Sequence, residues 1–100
     1  MILIRDVFQL KFGKAREAVA LWKEGIAIFK KSNFGATSPR ILTDLVGQYY
    51  TLVFESTFKS LSDYEQTFKQ MTGNEEWKTW YAKVVPLFEG GRREIFTIVE

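Results

Sequence analysis

The sequence predicts an α+β fold of the ferredoxin-like type, β-α-β-β-α-(α)-β, with an antiparallel four-stranded sheet of order 4-1-3-2. Three observations carry that prediction. Residues 2–12 alternate with the period of a strand, and residues 14–31 then switch to the period of a helix. A β-rich pair, a helical stretch and a last β-rich run complete the order. Two interleaved right-handed crossovers place such strands in one sheet with the helices on one side. One hundred residues make one domain, residues 1–100.

In the first strand, Ile2, Ile4, Phe8, Leu10 and Phe12 share a face with Asp6, and Leu3, Arg5, Val7, Gln9 and Lys11 share the other. Gly13 ends it. In the first helix, Ala15, Val19, Trp22, Ile26 and Phe29 form an apolar stripe. Gly25 lies inside that helix at a cost of about 1 kcal/mol relative to Ala, through tolerance or through close approach to the sheet. Residues 32–39 read as a loop, with Asn33 or Gly35 suited to a left-handed cap. Residues 40–46 read as the second strand. Gly47 marks a tight reversal into the third, residues 48–56, which is aromatic, β-branched and apolar on both faces. Ser60 or Ser62 caps the next helix, whose stripe is Leu61, Tyr64, Phe68 and Met71. Asn74 caps a short third helix carrying Trp77, Trp80, Tyr81, Val84 and Phe88, which Pro86 ends or bends. Gly90-Gly91 reads as a turn and residues 92–100 as the last strand.

Composition narrows the function. A net charge of +2, evenly mixed, argues against a nucleic-acid footprint. The basic-Gly-aromatic opening that RNA recognition motifs carry on their third strand is also missing, since Val46 and Gln48 flank Gly47. With no Cys and no His, there is no thiol nucleophile, imidazole base, His-containing triad or imidazole-held haem, and no cofactor or metal is expected. No run is apolar and long enough for a membrane span. Missing Cys and the lack of a signal-peptide core point to the cytoplasm.

Aromatics make up 16% of the chain, more than a small core needs, and the strands keep apolar residues on both faces. Helices shield one face; a second copy packed sheet to sheet is the simplest cover for the other. Val7, Val53 and some of Phe96, Ile98, Ile41 and Leu45 are the expected contacts. The plainer reading is a monomer with scattered surface hydrophobics.

The run IRDVFQLKFGKAREAVALW resembles the NIPSNAP-like branch of the dimeric α+β barrel superfamily, through Arg5, Phe8, Leu10, Lys11, Gly13 and Lys14, with Phe12 where Pro is usual. The run RILTDLVGQYYTLVFESTFKSLSDYEQ and the Trp-bearing helix before the last strand are similar to it too. The resemblance implies a homodimer whose two sheets form a barrel. It also implies a small-molecule pocket between sheet and helices, as many members of the superfamily have. The branch itself has no settled activity.

Asp6 is the sharpest candidate site residue, because a carboxylate among apolar strand positions needs a partner or a raised pKa. It is an acid–base group at a pocket floor, a structural ion pair with a basic residue such as Arg40 or Arg93, or a residue turned outward by a local bulge. Arg5 and Gln9 bind an anion or carbonyl, or hydrogen-bond across a dimer interface. Trp22, Trp77, Trp80 and Tyr81 wall an aromatic site, or are plain core. Tyr49 and Tyr50 offer a phenol to the pocket. Lys14 and Arg16 read as solvated charge. The expected function is binding of a small apolar or aromatic molecule. The alternative is a cofactor-independent monooxygenase acting on an activated aromatic. Whether the chain is an enzyme stays open.

Overall fold

The computed structural model describes residues 1–32 and 37–99. The elements follow the order β1 (Ile2–Leu10), α1 (Ala15–Lys31), β2 (Thr37–Thr43), β3 (Thr51–Phe58), α2 (Leu61–Gly73), α3 (Glu75–Val84), a 3₁₀ turn (Val85–Leu87) and β4 (Phe88–Thr97). The strands form one antiparallel sheet of order β2-β3-β1-β4, the order expected from the sequence. No helix among the described residues is long and apolar enough to cross a membrane.

β1 stops at Leu10, two residues short of its alternating pattern. Lys14 N–H donates to Lys11 O at 3.1 Å, and Gly13 takes φ +82°, so residues 11–14 form a turn whose third position needs a glycine. Phe12 is thereby exposed rather than on the sheet. The buried line of α1 is Ala18, Trp22, Gly25 and Phe29, with Val19 and Ile26 flanking it. Gly25 is a close approach, but to α3 and not to the sheet: the Trp80 ring fills the space a Cβ would take. Ser32 closes α1 by donating its N–H to Ile28 O at 3.0 Å; Asn33 and Gly35 lie outside the described residues.

β2 begins before Pro39 and ends at Thr43, three residues before its expected end. Pro39 sits on the edge strand at a register shift, with Ser38 at φ +52°, where no ladder N–H is required. The expected tight reversal is a seven-residue loop, residues 44–50. Asp44 closes it, its carboxylate accepting from Thr51 N–H at 3.0 Å. Leu45 and Val46 consequently stand 97% and 94% exposed. β4 also begins early, and Gly90-Gly91 lies within it rather than in a turn. Gly91 faces Phe8 across the ladder, and a Cβ there would meet Val7 O at 2.8 Å. The glycine serves close backbone approach, next to a bulge between Gln9 and Leu10.

Both helix starts behave as their cap residues predict: Ser60 Oγ accepts from Asp63 N–H at 3.2 Å, and Asn74 Oδ1 from Trp77 N–H at 2.8 Å. The core lies between the sheet and the helices, around Ile4, Leu10, Leu52, Phe54, Trp22 and Trp80. Trp22 touches Phe54 and Trp80 with ring centroids 4.9 and 4.8 Å apart. Such aromatic pairs contribute about 0.5–1.5 kcal/mol each beyond area burial.

Candidate functional site

β1 presents Asp6 to the helix side, between Ile4 and Phe8, and register sets it opposite Arg93 on β4. Arg93 Nε donates to Asp6 Oδ1 at 2.5 Å; the two side chains are 45% and 17% exposed. The partner is thus Arg93 and not Arg40, which lies on the other side of the sheet with Glu55. Burial raises the Asp6 carboxyl above its ordinary value, and the hydrogen bond and charge of Arg93 offset this only in part. The Arg93 guanidinium lies 5.3 Å from the Phe68 ring centroid and 5.8 Å from that of Tyr64, within cation–π range.

These groups line a cavity of about 390 Å³ between the sheet and helices α2 and α3. Trp22, Phe54 and Trp77, all buried, and the partly buried Phe8 form its inner part. Phe68, Thr72, Lys78, Tyr81 and Ala82, all exposed, form its rim. This is an apolar hollow with a few convergent polar groups and one perturbed carboxylate, the usual anatomy of a small-molecule site. Trp22 adds a second oddity: its buried indole N–H has no hydrogen-bond partner among the described residues. An uncompensated buried donor costs about 1–3 kcal/mol.

Four of the sequence-selected residues therefore meet at one cavity: Asp6, Trp22, Trp77 and Tyr81. Three do not. Trp80 packs behind it, its Nε1–H donating to Leu21 O at 2.6 Å and its ring lying against Gly25. Tyr50, at φ +58°, lines a separate depression with Tyr49, Phe12 and Arg16. That depression is larger, about 740 Å³, but is an open groove at the sheet end where little excludes water. Arg5 lies on the opposite sheet face. Arg93, Phe8, Phe68 and Lys78 are among the lining residues that sequence reasoning did not select. Arg93 alone had a signal, as a possible partner of Asp6.

The opposite face carries a row of charges in register across the sheet. Arg40 and Arg5 both bind Glu55 at 2.8 Å, Arg5 reaches Glu94 at 3.2 Å, and Arg92 binds Glu94 at 2.9 Å. The Arg92 hydrogen bond, with the charges of Arg92 and Arg5, holds Glu94 below the usual carboxylate value. Arg5 is thereby committed to protein carboxylates. Gln9 likewise donates to the carbonyls of Tyr49 and Tyr50. In the neighbouring row the apolar residues Leu42, Val53 and Val7 align, with Arg92 next to Val7 at its end, and both valines are only 7% exposed. Phe96 shares this face, whereas Ile41 turns to the helix side and Leu45 lies in the loop.

No protein-family model matches the sequence, and no curated protein matches it. Solved structures do match. An uncharacterised NIPSNAP domain protein from Burkholderia xenovorans superposes with a TM-score of 0.88 at 17% identity, over 99% of this chain and 95% of that one. A NIPSNAP family protein from Agrobacterium tumefaciens gives 0.87 at 18% identity, over 99% and 86%. The cofactor-independent oxygenase SnoaB from Streptomyces nogalater gives 0.75 at 11% identity, over 99% and 93%. At such identities the shared property is the architecture, and the resemblance read from residues 5–14 holds at that level: this chain has the ferredoxin-like α+β fold of NIPSNAP domain proteins.

Proposed function

We propose that the protein is a homodimer, paired through the open sheet face, that binds a small apolar or aromatic molecule between sheet and helices. The observation that carries the ligand reading is the cavity of about 390 Å³, with its aromatic walls and the Asp6–Arg93 pair. The apolar row of Leu42, Val53 and Val7 on the sheet face away from the helices supports the dimer through Leu42, which is 38% exposed, as does Phe96, 47% exposed across the charged row. The charged row beside it gives the pairing a register. Missing Cys fits a cytoplasmic setting.

Light scattering after size exclusion, down to micromolar concentration, tests the assembly; a monomer there overturns it. Thermal-shift and native mass spectrometry screens with aromatic and polyketide-like compounds test the site. No shift and no adduct with any of them overturns the ligand reading.

A second reading is a cofactor-independent oxygenase acting on an activated aromatic. It is favoured by the likeness to one such enzyme and by a half-buried carboxylate with a raised pKa at the cavity. Asp6 would take the acidic proton of the substrate, as a base held by Arg93. The lack of His counts against it. Oxygen uptake with candidate hydroquinones decides it, and no uptake with any of them sinks it.

A further inference from the structure

We propose that the cavity selects an aromatic anion: a planar apolar body carrying a single carboxylate, seated ring first with its charge at the rim between Arg93 and Lys78. This rests on the cavity being the ligand site, and it adds the charge and the orientation of the ligand.

The walls grade from apolar to cationic. The inner walls are Trp22, Phe54 and Trp77, with the partly buried Phe8. They offer ring surfaces and no free charge, so an apolar ring enters there. A cavity of about 390 Å³ suits roughly two or three fused rings. The rim carries two cations, Arg93 and Lys78, against one carboxylate, Asp6. Asp6 is occupied: its Oδ1 accepts from Arg93 Nε. The guanidinium carries further N–H donors beside that nitrogen and lies against the Phe68 and Tyr64 rings, at the cavity. Among the described residues Lys78 pairs with Glu75, in a solvent-exposed i,i+3 pair of the kind that contributes little. A ligand carboxylate at the rim meets two donors while keeping part of its hydration, so its desolvation cost is small. An ammonium ligand would have to displace Arg93 from Asp6 and would face both cations. A neutral ligand would gain the rings alone.

The test is calorimetric titration of the whole protein with three probes of one ring system: 2-naphthoate, 2-naphthamide and 2-naphthylmethylammonium. Naphthoate is expected to bind at least about tenfold tighter than the amide, as charge-assisted contacts allow, and to weaken as salt rises. Lys78→Gln, at an exposed position, is expected to reduce that preference severalfold with amide binding unchanged. Arg93→Gln is expected to abolish it. Equal binding of naphthoate and amide overturns the charge assignment and leaves the cavity reading standing. Tightest binding of the ammonium probe overturns it too, in favour of Asp6 as the recognition group. Binding of none of the three overturns both readings. A preference for naphthoate that survives Lys78→Gln unchanged removes Lys78 from the proposal even where Arg93→Gln fails to fold.

Discussion

Gly25→Ala separates what a helix wants from what this fold allows. By helix propensity alone the substitution stabilises α1 by about 1 kcal/mol. The tertiary structure reverses the sign. A Cβ on Gly25 would lie on the Trp80 ring, 2.6 Å from Cε2 and 2.7 Å from Cη2. The ring has no easy retreat: its Nε1–H is bound to Leu21 O at 2.6 Å, and Trp22 and Trp77 pack against it at centroid distances of 4.8 and 4.7 Å. Overpacking of this kind costs about 1–3 kcal/mol. If Trp80 swings away instead, its buried N–H loses its partner, at a similar cost of about 1–3 kcal/mol. Set against the propensity gain, the net destabilisation is about 1 kcal/mol, with a melting temperature lower by roughly 6 °C in a chain of this size. Urea unfolding followed by tryptophan fluorescence measures it. Gly73→Ala is the control, because a Cβ there meets nothing within 4 Å, and it is expected to be neutral or mildly stabilising. A Gly25→Ala protein as stable as the parent, or more so, would refute the packing argument.

Asn74→Ala removes the acceptor for Trp77 N–H and should cost about 1 kcal/mol in the same urea assay. For Asp6, the folded pKa lies above the ordinary 3.8, so between those two values the folded state holds the proton more tightly than the unfolded chain. Its contribution to stability is therefore fully present below 3.8 and is lost as pH rises through the folded value. Denaturation from pH 4 to 7 should show the parent's stability relative to Asp6→Asn greatest at the acid end; a difference that grows with pH would contradict it. Leu42→Glu places a charge in the apolar row beside Val53, at a position that is 38% exposed in one copy. It should shift light-scattering mass from dimer to monomer with the melting temperature of the monomer little changed.

Local signals were the legible ones. The alternation through β1, the stripe of α1 and the caps Ser60 and Asn74 depend on neighbours within a few residues, and the structure keeps them. Asp6 was visible as a carboxylate that broke an apolar face. Its partner was visible only as one of two arginines, because strand register, which pairs Asp6 with Arg93, is a long-range property. Pro39 and Gly91 misled for the same reason: both punctuate a chain, yet one sits on a sheet edge and the other where backbone approaches closely. Helical spacing grouped Trp77, Trp80 and Tyr81, and only packing divided them, with Trp80 against Gly25 and the other two at the cavity.

The sequence by itself thus determined the order of elements, the sheet order and the presence of a carboxylate that needed an explanation, because periodicity, capping and crossover handedness act locally or through topology. Only the tertiary structure decided which residues share the cavity, which arginine holds Asp6 and which turns Arg5 toward Glu55 and Glu94. Those facts depend on register and close packing between segments far apart in the chain, where a shift of one residue moves a side chain to the other face of the sheet.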